Sequence, residues 1–179
     1  MRTLLFVFFT ALSLGIGAQF PLTPAFSDLL DSLEVRVNHP LESDFRQLPN
    51  AANDYLESQL TLHSKREKLE LRFHLALERP DHPFAGRPHL QAGHLALNLG
   101  SNEEDAVTAV HSFDAEEMAV FNADWARMYT FRPKRSYSTY RQAQLVAIYR
   151  VGRGMAYTVL LFDEAPDTLE GRQVALRFR

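Results

Sequence analysis

The most regular pattern in the chain is a strict alternation over residues 69–77. Leu69, Leu71, Phe73, Leu75 and Leu77 take one set of positions, and Glu70, Arg72, His74 and Ala76 take the other. A period of two places the first set on one face of a pleated strand and the second on the opposite face. Upstream, Leu60 and Leu62 alternate with Gln59, Thr61 and His63. The polar link Ser64-Lys65-Arg66-Glu67 lets the two segments pair as a hairpin, with Leu62 opposite Leu69 and Leu60 opposite Leu71. A shorter alternation, Leu33, Val35 and Val37 against Glu34, Arg36 and Asn38, predicts a strand that His39-Pro40 ends. Val174, Leu176 and Phe178 mark a last strand near the C-terminus.

The strongest strand signals lie within residues 122–163. Apolar runs at 145–150 and 155–162 are separated by Val151-Gly152-Arg153-Gly154, which reads as a short hairpin connection and predicts the central strands of a sheet. Both runs are apolar on both faces. Helices must therefore cover the sheet on two sides, or on one side with a ligand space or a partner on the other. Residues 127–132 resume strand period, with Tyr129 and Phe131 on one side, until Pro133 breaks it and a polar, basic loop follows over 134–140.

Helical spacing is weaker. Phe26, Leu29, Leu30 and Leu33 follow Ser27, a suitable cap. Residues 90–99 place Leu90, His94 and Leu97 on one stripe, with Leu95 and Leu99 beside it and Gly100 as a stop. Asp114-Ala115-Glu116-Glu117 has the form of a capping box, and it sets Met118, Phe121 and Trp125 on one helical face. Residues 106–113 fit a strand or a helix; the alternation of Val107, Ala109, His111 and Phe113 favours a strand. Residues 41–53 read as loop with one helical turn, 78–88 as an exposed connection with three prolines, and 164–167 as a turn. Strands arriving as hairpins, with two or three short helices and no regular strand–helix alternation, predict an α+β domain. Its mostly antiparallel sheet has about six or seven strands.

Composition adds an address. Met1-Arg2-Thr3 precedes an apolar stretch of 15 residues, 4–18, with a small-residue exit, the form of a secretory signal; the alternative is a membrane anchor. The stretch is shorter than the roughly 20 residues a spanning helix needs, and Pro21 and Pro24 follow. Cleavage after Ala18 leaves one domain over 19–179, a periplasmic or secreted protein whose contact with a membrane is through the signal alone. The chain has no cysteine, which excludes a disulfide framework, a thiolate nucleophile and a thiolate metal site.

Charge is uneven. The chain is formally at -3, yet residues 125–162 carry seven basic side chains and no acidic one, which leaves the remainder near -10 (-3 minus 7). Arg127, Tyr129, Arg132, Lys134, Arg135, Tyr137, Tyr140, Arg141, Arg150 and Arg153 form a basic and aromatic set of the kind that binds an anionic ligand or an acidic partner through bidentate contacts and stacking. The competing reading is that nearby carboxylates such as Glu116, Glu117, Asp124, Asp163 and Glu164 neutralise it within the fold. Export and the mildly acidic total speak against nucleic acid. No HExxH, HxH or i, i+4 histidine pair occurs, so no metal site and no cofactor are expected. There is no GxSxG elbow, and Gly152-Arg153-Gly154 is too short for a phosphate loop, so no catalytic residue is assigned.

The order of elements, with LEVRVNHP at 33–40, SQLTLHSKREKLELRF at 58–73 and the segment from FNADWARMYTFRPK to MAYTVLLFD at 121–163, resembles exported proteins of the PsbP-like class, named for accessory proteins of photosystem II. The resemblance implies an αβα sandwich and a non-catalytic binding or assembly role; no functional residue carries over. FNADW also resembles a run shared by bacterial exported proteins, which implies a compartment and no mechanism. The leading expectation is a non-catalytic exported domain that binds an envelope or extracellular protein or an anionic ligand through the Arg and Tyr surface. A small envelope hydrolase, with a histidine and a carboxylate brought together near Trp125, is the alternative, and an apolar-ligand carrier is a third.

Overall fold

The computed structural model describes residues 22–38, 44–50 and 53–179. The predicted signal at 1–18, the His39-Pro40 stop and part of the 41–53 loop lie outside those residues.

Among the described residues, four helices and nine strands follow in the order α1 (Pro24–Leu33), β1 (Val35–Val37), β2 (Arg46–Leu48), β3 (Leu60–Ser64), β4 (Leu69–Leu77), α2 (Pro88–Leu99), β5 (Ala109–Ser112), α3 (Ala115–Phe121), β6 (Trp125–Phe131), β7 (Gln142–Arg150), β8 (Gly154–Phe162), α4 (Leu169–Gln173) and β9 (Leu176–Phe178). Seven strands form one antiparallel sheet in the order β2-β3-β4-β8-β7-β6-β5, and β1 pairs with β9 separately. The α+β class and the mainly antiparallel sheet are as expected.

Two cores explain why β8 reads as uninterrupted apolar sequence: all nine of its residues are buried. Leu71, Phe73, Ile148, Ala156 and Leu160 on one sheet face pack against Phe26, Leu30 and Leu33 of α1 and against Leu176 and Phe178 of β9. Leu145, Ala147, Met155, Val159 and Leu161 on the other face pack beneath Ala92, Ala96 and Leu99 of α2. A strand with a helix layer on each side has no polar face to show.

Local chemistry fixes the helix ends. Thr23, not Ser27, caps α1: its hydroxyl accepts from the Phe26 N–H at 3.3 Å, and Pro24 sits in the first turn, where a missing N–H costs nothing. Asp114 caps α3 as its sequence predicts. Its carboxylate accepts from the N–H groups of Glu116 and Glu117, while Glu117 accepts from the Asp114 N–H. In α2 the buried stripe is Ala92, Ala96 and Leu99, whereas Leu90 and Leu97 are exposed. The expected leucine stripe is therefore rotated: small side chains let the helix lie close on the sheet, and the larger ones are turned out.

Three other expectations change. The β3–β4 hairpin pairs Leu62 with Leu71 and Leu60 with Phe73, two residues away from the predicted register; a shift of two keeps the same side chains inward. The turn is tightened to Lys65–Lys68, with Lys68 at φ 52°. Residues 46–48 form the edge strand β2 instead of loop; α4 lies past the predicted 164–167 turn, in a stretch without a predicted element. Trp125, expected on the helical face of Met118 and Phe121, instead opens β6 and is half-buried, with the Arg127 guanidinium 5.5 Å from its ring.

Candidate functional site

The ten basic and aromatic positions do not share a surface. Tyr129 and Tyr137 are buried in the second core, because alternate residues of β6 and the 133–140 loop close over the α2 face. Burial pushes the Tyr137 phenol up to about 12, with the adjacent Arg72 opposing the rise. Arg127 lies on the α2 face, half-buried, while Arg150 lies on the opposite face with its guanidinium over Phe178 and donating to the Arg179 carbonyl. Arg153 at the β7–β8 turn pairs with Glu34, and Arg132 pairs with Glu103 and Asp105. Lys134 donates to the Asn98 carbonyl at 2.7 Å and covers the Tyr55 ring. Tyr140 is half-buried, and Arg135 and Arg141 are exposed at the same end of the sheet as Lys134. The expected continuous face is thus divided between two sheet faces and two ends, and two of its charges, Arg132 and Arg153, are matched by carboxylates distant in sequence.

A cleft forms instead at the other end of α2. Antiparallel register brings Ala76, Met155, Tyr149 and Trp125 into one transverse row on the α2 face, and His74 and Tyr157 into the next. The 78–87 connection folds back over the first row. Gln91 of α2 donates to the Phe84 carbonyl at 2.9 Å, and the Phe84 N–H donates to His82 Nδ1 at 3.1 Å, which together hold the loop as a roof. The half-open cleft has a volume of about 310 Å³ and is lined by His74, Ala76, Glu78, His82, Gln91, Tyr149 and Met155 among others. That lies at the lower end of the range of small-molecule sites.

The polar groups of the cleft are fixed in complementary states. His74 Nδ1 lies 2.7 Å from the Glu57 carbonyl oxygen, which only accepts, so Nδ1 carries the proton and Nε2 keeps its lone pair. Burial holds the imidazole below its ordinary value against the opposing pull of Glu57, and its ring packs against Tyr157 at 5.8 Å. His82 has the other tautomer: its Nδ1 accepts from Phe84, so Nε2 carries the hydrogen. One ring therefore offers an acceptor and the other a donor. Glu78 accepts from the Tyr149 hydroxyl at 2.7 Å and from the Gly152 N–H at 2.7 Å. Burial, then that hydrogen bond, pushes the Tyr149 phenol up to about 12.

Of these residues, the sequence pattern places His74 on the polar face of the 69–77 strand and gives it no further role. Glu78 and His82 were hidden in a proline-rich connection, and Tyr149 in an apolar run. The one available signal was that Tyr149 is the lone hydroxyl-bearing residue in an otherwise apolar run, where a buried phenol needs a partner.

A second concavity of about 440 Å³ lies on the opposite sheet face, between α3, α4 and strands β5 and β6. Phe113, Phe121, Met128 and Val174 line it, and His111, Glu117 and Glu170 stand among them. Among the described residues no helix is long and apolar enough to cross a membrane, and no group of three or more metal-ligating side chains converges. Comparison of the chain with protein families, with curated proteins and with solved structures finds no match.

Proposed function

We propose that the chain is a non-catalytic binding domain, exported to the bacterial envelope or the exterior, that holds a small uncharged polar molecule in the cleft beside His74. The observation that carries this reading is the pair of oppositely arranged histidines, a fixed acceptor at His74 and a fixed donor at His82, over an apolar floor of Ala76 and Met155. Binding is favoured over hydrolysis because no serine or threonine lines the cleft, and its one carboxylate, Glu78, is already engaged by Tyr149 and Gly152. Export rests on the signal-like pattern of residues 1–18, and a non-catalytic role agrees with what the PsbP-like resemblance implies.

The test is a thermal-shift screen of neutral sugars, polyols, amides and nucleosides against the wild type and His74→Phe. A ligand at a hundred times its Kd adds about 2.7 kcal/mol to stability. Compounds that raise the wild-type melting temperature should lose that effect in the variant. Equal shifts in both proteins would place binding elsewhere.

A second reading, an acidic partner or anionic ligand at the 133–141 loop, is favoured by one observation: Arg135 and Arg141 are exposed there, and neither has an ion-pair partner among the described residues. Changing both to Ala should weaken retention on an anionic matrix without altering the melt; unchanged retention would remove this reading.

A further inference from the structure

Strand β5 is one edge of the seven-stranded sheet, and its outer side has no partner among the described residues. All four of its residues are exposed, and from Ala109 to Ser112 it carries no lysine, arginine, proline or carboxylate; its one titratable residue, His111, lies 3.4 Å from Glu117. The opposite edge, β2, is three residues long, begins with Arg46 and is closed by Pro49. Beside β5 lies the second concavity, with an apolar lining of Phe113, Phe121 and Met128. His111 and Phe113 meet edge to face at 4.9 Å, and Phe113 and Phe121 at 5.0 Å, so an aromatic row leads from the strand into the groove.

The charge of the segment that carries this edge is one-sided, although Arg127 of β6 lies opposite Ser112. Residues 101–121 contain six carboxylates, in two groups at 103–105 and 114–117 on either side of β5, and no lysine or arginine. Arg132 answers Glu103 and Asp105. Glu104, Glu116 and, across the groove, Glu170 have no ion pair among the described residues. A neutral edge strand between acidic flanks matches an extended segment whose centre alternates apolar residues and whose ends carry lysine or arginine. Main-chain hydrogen bonds would supply affinity, and alternate side chains entering the groove would supply selectivity.

We infer that the β5 edge, with the groove between α3 and α4, takes up an extended basic segment of a partner protein as an added antiparallel or parallel strand. This site is separate from the His74 cleft and stands or falls without it.

The experiment uses the full chain and two labelled peptides of alternating Val and Thr, one ended by Lys pairs and the other by Glu pairs. Fluorescence anisotropy should show the Lys-ended peptide binding at least about tenfold more tightly, with the difference shrinking as salt rises. Hydrogen exchange should slow at Ala109–Ser112 when that peptide is present. Val110→Lys, an exposed edge change, and the double variant Glu116→Lys, Glu170→Lys should each lose about tenfold in affinity while melting like the wild type. The inference is overturned if the Lys-ended peptide does not bind, if both peptides bind equally, or if protection appears away from β5. Concentration-dependent dimers with β5 protected in the absence of peptide would also overturn it, because the occupant would then be a second copy of the chain.

Discussion

Glu67 and Arg172 are the clearest case of a side-chain pair that only the folded chain could assemble. Both are buried. Arg172 donates to the two carboxylate oxygens of Glu67 at 3.0 and 2.6 Å, Thr168 adds a third donor at 2.9 Å, and the guanidinium covers the Phe45 ring. The Arg172 hydrogen bonds hold Glu67 below its ordinary value of 4.5, against the effect of burial and with help from Thr168. A depressed folded-state value means the contribution is fully present above pH 4.5 and is lost as pH falls through the folded value. Arg172→Met strands a buried carboxylate and should cost about 3–5 kcal/mol near neutrality. In that variant Thr168 still pulls Glu67 down, against burial and the nearby Asp44, so its value rises above that of the wild type, protonation relieves part of the penalty, and the gap to the wild type should narrow in acid. Urea unfolding followed from neutral pH to below pH 4.5 checks this; a constant gap across that range would show that Glu67 is not the stranded group.

The β7–β8 hairpin shows how one element ties the cleft to the sheet. Its turn passes through Gly152 at φ 72° and returns at Gly154, φ 130°, where an added Cβ would stand 2.2 Å from the Ala76 carbonyl oxygen. At Gly152 the same atom would meet nothing within 4 Å. Gly152→Ala should therefore cost only the left-handed backbone term, about 1 kcal/mol. Gly154→Ala must also push the β4 backbone away and should cost about 3 kcal/mol or more. Chemical denaturation of the two variants compares them directly, and similar losses would mean that β4 and β8 separate easily there. Because Glu78 follows β4 immediately and accepts from Gly152, Gly154→Ala should also disturb the Tyr149–Glu78 contact that forms one wall of the cleft.

Across the molecule, the two cores share the same strands. Each of β4, β7 and β8 is packed against α1 and β9 on one face and, through its alternate residues, against α2 or the 133–140 loop on the other. Neither layer can leave without exposing strands the other also covers. The domain should therefore unfold in one cooperative step. Fluorescence of Trp125, the single tryptophan, reports the α2 side, and far-ultraviolet circular dichroism reports the whole sheet. Their denaturation midpoints should coincide; two separated midpoints would show that the α2 layer melts independently.

Much of the architecture was readable from short-range pattern. Alternation placed β3, β4, β6 and β9, and the two-sided apolar runs at 145–150 and 155–162 required cover on both faces, because side-chain direction in a strand is set by residue parity alone. The Asp114 cap was equally local. Tertiary structure alone decided which basic residues meet carboxylates, since Arg153 and Glu34 are 119 positions apart and Arg132 and Glu103 are 29 apart. It also decided that Tyr129 and Tyr137 turn inward, and that His74, Glu78, His82 and Tyr149 surround one space. Parity tells each strand which residues share a face; the order β4-β8-β7-β6-β5 and the fold of a proline-rich loop over it determine which faces adjoin. That order depends on long-range burial, to which no single stretch of sequence bears witness.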